Sequence, residues 1–130
     1  MNYLLTTFLI LSLKFYSFQN YDKKLYGVWN LIISKEYYSN NSSENNNNKT
    51  TYDIGDKVIE FKSDGSIIDY QDVESNKSKY IITKKNINIS YENGSTIELN
   101  YFFVGDTLVI ENYDGNKLLK KSYIKEKLNL

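Results

Sequence analysis

The chain has no cysteine, no histidine and no proline, and all of its basic residues are lysine. Without Cys or His there is no thiol nucleophile, no Cys/His zinc site and no Ser-His-Asp arrangement. General acid–base chemistry would fall to Asp, Glu, Lys or Tyr. Disulfides, which staple many small exported domains, are also excluded. An excess of either charge is missing too, since 16 basic residues balance 16 acidic ones. A neutral chain without Arg lacks the clustered basic face that nucleic acid requires. Long apolar runs are scarce. Leu4 to Leu13 is the longest, well short of the ~20 residues of a membrane-spanning helix.

That run has the length of a signal-peptide h-region. With Ser17-Phe18-Gln19 as the best cleavage site, residues 1–19 are expected to be a leader and 20–130 a single exported domain. No Cys follows the apolar run, so a lipoprotein anchor is not expected. The remaining 110 or so residues would bury roughly 60–65% of their unfolded surface, enough for one modest core.

Tyrosine is the dominant aromatic, 13 against 6 Phe and 1 Trp, and Tyr, Ile and Val favour strands. From Asp56 onward the turns are regular. Ser63-Asp64-Gly65-Ser66, Lys84-Lys85, Glu92-Asn93-Gly94-Ser95, Gly105-Asp106 and Asp114-Gly115-Asn116 separate runs of strand length, with Asn-Gly the strongest short hairpin signal. The runs are Lys57–Lys62, Ile67–Val73, Lys79–Thr83, Asn86–Tyr91, Thr96–Val104, Thr107–Tyr113 and Lys117–Lys127, after a first strand from about Leu25 to Tyr38. Turn signals every 8–12 residues leave no room for crossover helices, which predicts an antiparallel meander. Asn20 to Lys24 is expected to form a turn or a short lid before it. Residues 39–51, with the Asn45–Asn48 run, have the composition of a disordered loop.

Alternation sets the faces. Ile87, Ile89 and Tyr91 alternate with polar residues, as do Ile97, Leu99, Tyr101 and Phe103; Leu108 with Ile110, and Ile59 with Phe61, share a face. The expected fold is all-β: an antiparallel up-and-down meander of about eight strands, apolar on one face, closed into a small barrel so that its edges are hidden. An interior of that size is filled by side chains or holds one small ligand.

Gly27-Val28-Trp29 on the first strand, Phe61-Lys62-Ser63-Asp64-Gly65 at a hairpin and Asp106-Thr107-Leu108 before a late strand complete the picture. In this order they resemble the lipocalins, and more closely the small exported lipocalin-like proteins of Bacteroidetes, over roughly Leu25 to Lys127. The resemblance implies that Gly27 and Trp29 are structural, the indole plugging the closed end of the barrel. Lipocalins also set a basic residue, usually Arg, over that tryptophan. Here Lys121 or Lys125 must take the place. The family's Thr-Asp-Tyr loop motif is absent.

Phe61, Tyr80, Tyr91, Leu99, Tyr101, Phe103 and Ile110 are the candidate barrel lining. They either line a pocket for a small apolar or amphipathic ligand or simply fill the barrel. The first alternative makes a non-catalytic binding protein, the second a structural or interaction module. A third class, an enzyme, needs a charged residue among the inward positions. Glu60 and Asp69 come nearest, and their neighbours place both outward. The pairs Asp53/Asp56 and Asp69/Asp72 match no calcium-loop spacing, so neither metal nor cofactor is expected, and no catalytic residue is assigned.

Overall fold

The computed structural model describes residues 22–38, 47–70 and 76–127, with the backbone alone for 76 and 77. The leader expected over residues 1–19, residues 39–46 of the Asn-rich segment and the polar stretch containing Asp72 lie outside the described residues. Among the described residues nine strands follow one another: β1 (Gly27–Tyr38), β2 (Asn48–Thr51), β3 (Val58–Phe61), β4 (Ser66–Asp69), β5 (Asn76–Thr83), β6 (Asn86–Ser90), β7 (Thr96–Val104), β8 (Thr107–Asp114) and β9 (Lys117–Lys125). From β3 each strand pairs antiparallel with the next, and β9 returns to β1. Eight strands thus form a closed antiparallel meander, with β2 laid beside it. Asn48–Thr51 is therefore strand rather than disordered loop, held by backbone pairing to Ile33–Glu36 of β1 although its own side chains are exposed.

β1 is long enough to do three things. Gly27–Asn30 pair with β3, Ile33–Glu36 with β2, and Trp29–Tyr38 run along β9 on the other edge. Its ladder with β9 slips between Leu31, opposite Tyr123, and Ile33, opposite Ser122. Ile32 is the extra residue of a β-bulge. Directly opposed residues share a face, so Trp29 and Leu31 point inward before the bulge and Ser34 and Glu36 after it.

The turns explain the register. Asp64 accepts from the Ser66 backbone N–H at 2.9 Å, and Asn93 accepts from that of Ser95 at 2.9 Å. In both, the intervening glycine has positive φ, Gly65 at 89° and Gly94 at 86°, so the side chain mimics a turn that the glycine completes. Such short connections hold each strand beside its sequence neighbour, and the apolar faces meet in one core.

The two ends of the barrel differ. The start of β1, the end of β9 and the turns β3–β4, β5–β6 and β7–β8 gather at one end. There Lys23–Leu25 form a single 3₁₀ turn capped by Asp22, whose carboxylate accepts from Lys24 N–H at 3.1 Å. Leu25 is 0% exposed. This is the lid expected ahead of the first strand.

Candidate functional site

The sealed end is built around Trp29, 2% exposed. Its indole N–H donates to the Leu25 carbonyl at 2.8 Å, and its ring lies 6.1 Å from that of Phe103. Tyr101 donates its hydroxyl to Asp22 at 3.0 Å and stands edge-on to Phe103. Lys125 Nζ sits 5.4 Å from the Trp29 ring centroid. Lys121 lies elsewhere, on the cavity wall described below. Gly27 makes room for Lys125: its φ is +130°, and a Cβ there would stand 2.6 Å from Lys125 Cε. Tyr101 and Phe103, offered as lining, belong to this plug.

Tyr80 forms a second stopper. It is buried, donates to the Lys62 carbonyl at 2.8 Å and sets its ring edge-on to Phe61 at 5.2 Å. It fills the barrel and does not line the cavity beyond.

Toward the other end the interior opens into a cavity of about 250 Å³. Phe61, Ile67, Ile89 and Ile110 supply its buried walls; Ile59, Ile97, Leu99 and Leu119 continue them half-buried. Polar atoms enter from Asp69, Ser78, Asn112, Lys121 and Tyr123, with exposed Tyr91 completing the ring. Of the candidate lining, Phe61, Tyr91, Leu99 and Ile110 are brought together here.

Asp69 corrects the sequence reading. It pairs across the ladder with inward-facing Ile59 and lines the cavity instead of pointing outward. Glu60 does turn outward, where it accepts from the Tyr70 hydroxyl at 2.5 Å. Alternation could not place Asp69, because Ile67 and Ile68 before it are both buried, one on each face of β4. The polar side of β9 was hidden for the same reason: Leu118-Leu119-Lys120-Lys121 has no period of two.

A cleft of about 90 Å³ adjoins the cavity and shares Ile59, Asp69, Lys121 and Tyr123 with it. Leu31, Tyr52 and Lys57 border it, where β1 leaves β3 to take up β2. Burial holds the Lys121 ammonium below the ordinary lysine range; the Asp69 charge opposes this and Lys57 reinforces it. Burial likewise pushes the Tyr123 hydroxyl up, and the Asp69 charge adds to the rise. At neutral pH Tyr123 is therefore a neutral hydrogen-bond donor.

Among the described residues no group of three or more Asp or Glu gathers to hold a metal ion, and no helix is long and apolar enough to cross a membrane. No family model, curated protein or solved structure matches the chain. The closed eight-stranded meander itself is compatible with the lipocalin-like fold.

Proposed function

We propose that this is an exported lipocalin-like barrel that binds one small apolar or amphipathic molecule without catalysis. One observation carries the reading: the barrel is plugged at one end and keeps an apolar cavity with a few convergent polar groups at the other. That is the general make-up of a small-molecule site, although about 250 Å³ falls just below the usual size of such sites and suits only a small molecule. Asp69 is exposed at the cavity mouth. A solvated carboxylate in that position suits ligand selection better than acid–base chemistry, which calls for a desolvated, tuned group. Kinship with the small lipocalin-like proteins of Bacteroidetes draws support from the three motifs, which converge on the sealed end. Export rests on the apolar run Leu4–Leu13.

Native mass spectrometry of the protein purified from its own cells tests binding. A reproducible adduct that is lost on denaturation is the expected result. A bare mass, with no uptake from a lipid and metabolite extract, would replace this reading with that of a filled barrel serving as an interaction module.

A further inference from the structure

The outer wall of the barrel is not uniform. Cross-strand partners share a face, so the ladders that set Leu119, Lys121 and Tyr123 inside turn Leu118, Lys120 and Ser122 outward. On β6 and the start of β7 the outward positions are Asn86, Asn88, Ser90, Thr96 and Glu98, an ordinary polar surface.

Across β2, β1 and β9 the pattern differs. Lys49 stands directly opposite Lys35, and Lys35 directly opposite Lys120, so three lysines form one row over three adjacent strands. Neighbouring Cα atoms in such a row lie about 4.5–5.5 Å apart, and like charges set opposite each other are destabilising. Only Lys120 finds a carboxylate, that of Glu111 on β8 at 3.8 Å, and its ammonium lies 5.5 Å from the Phe102 ring centroid. Both partners draw it away from Lys35. Lys35 and Lys49 meet no acidic side chain among the described residues.

Apolar side chains border the row on both sides. Tyr37, Leu118 and Tyr113 are mutually opposed on the side of the open mouth. Ile33, Val109 and Phe102 hold the other side, with Ser122 among them. Tyr113 is 66% exposed and Phe102 38%.

We infer that this strip docks a linear acidic polysaccharide, its negative groups spread along Lys49, Lys35 and Lys120 and its sugar rings lying on Tyr37 and Tyr113. A second copy of this chain is a poor occupant, because apposed strips would press lysines against lysines. A flat lipid surface would meet the convex wall along a narrow line only, whereas a flexible chain follows its curve. Such a chain also answers both parts of the strip. Its acidic groups supply the missing counter-charges as charge-assisted bonds, and the C–H faces of its rings pack on the tyrosines, which are apolar in body and polar at the tip. The strip lies outside the barrel and is independent of the cavity and of the small-molecule reading.

Calorimetric titration of the protein with polygalacturonate, dextran sulfate and uncharged dextran tests the inference. At least one acidic polymer should bind, dextran should not, and raising salt from about 50 to about 200 mM should weaken binding by about threefold to tenfold. The double variant Lys35→Gln/Lys49→Gln should weaken it by about fivefold to tenfold with no loss of melting temperature, since neither side chain has a partner to lose. Tyr113→Ala should weaken it by about threefold. Lys84→Gln/Lys85→Gln, at a turn of the sealed end, should leave it within about twofold. Failure of both acidic polymers to bind overturns the inference. So does an equal loss in the Lys84/Lys85 variant, which would mean attraction to net charge alone. Binding to phosphatidylglycerol vesicles without binding to either polymer would overturn it too, and reassign the strip to a lipid surface.

Discussion

The two ends of this barrel use similar side chains to opposite effect. At the sealed end aromatic rings fill the space: Trp29, Tyr101 and Phe103 touch one another or the 3₁₀ turn, and the polar atoms of Trp29 and Tyr101 have partners. At the open end aliphatic walls from four-residue strands β3 and β4 and their neighbours stop short of filling it, and Lys121 and Tyr123 line the space that remains. Trp29 and Lys125 at one end, Tyr123 and Lys121 at the other, each set an aromatic beside a lysine. Where the lysine stacks on the ring, the pair is structure. Where it shares the cavity wall with the ring, the pair borders open space. The difference lies in packing more than in composition.

If the division is real, substitutions at the sealed end should act on stability, and those at the open end chiefly on ligand uptake. The largest effect is expected from Trp29→Ala, which empties the plug and orphans the Leu25 carbonyl. A loss of about 3–5 kcal/mol is anticipated in urea unfolding, with little residual cooperativity in a domain this small. Gly27→Ala should follow, at about 1–3 kcal/mol, because alanine is strained at φ +130° and its Cβ displaces Lys125 from the indole. Part of that cost should vanish when Lys125 is already alanine, so a double-mutant cycle reads the collision directly.

Tyr101→Phe removes the bond to Asp22 and should cost about 1 kcal/mol. It also carries a pH signature. Burial, and then the bond and charge of Asp22, raise the Tyr101 hydroxyl to about 12 from its ordinary 10.0. The folded state therefore holds this proton more tightly than the unfolded chain. The associated stability is complete below about pH 10 and is lost as pH climbs through about 12. The variant should show a shallower alkaline decline, the remainder belonging to Tyr123, which is raised for related reasons. Smallest of all is Leu99→Ala on the cavity wall. Half-buried beside existing space, it should cost about 1 kcal/mol or less while enlarging the chamber, so that longer-chain probes bind relatively better. A Leu99→Ala cost approaching that of Trp29→Ala would erase the contrast between the ends.

The sealed end was the more legible in the sequence. Asp64-Gly65 and Gly105-Asp106 announce turns through local chemistry, and Gly27 and Trp29 stand out by their identity and order. Alternation also placed Ile87, Ile89, Ile97, Leu99, Leu108 and Ile110 on the inner face, where they lie. What alternation cannot carry is a change of phase. The bulge at Ile32 sits in an all-apolar Leu31-Ile32-Ile33 run, so the switch that turns Ser34 inward leaves no trace. Asp69 and Lys121 follow stretches with no period of two, and their direction is fixed by cross-strand register, a long-range property. Composition misled at Asn48–Thr51, where strand formation owes everything to the neighbouring backbone and nothing to side-chain burial.

Strand β2 has one further consequence. Its inner edge is bonded to β1, and its outer edge pairs with no other described strand. Such an edge is a template for intermolecular strand addition and the first step toward fibrils. The residues on it are Asn48, Lys49, Thr50 and Thr51, all exposed and none aliphatic. An incoming chain would find no hydrophobic face to follow the hydrogen bonds, and successive copies would bring Lys49 close to Lys49. The polar residues Asn48–Thr51 thus guard the outer edge of the strand laid beside the closed barrel.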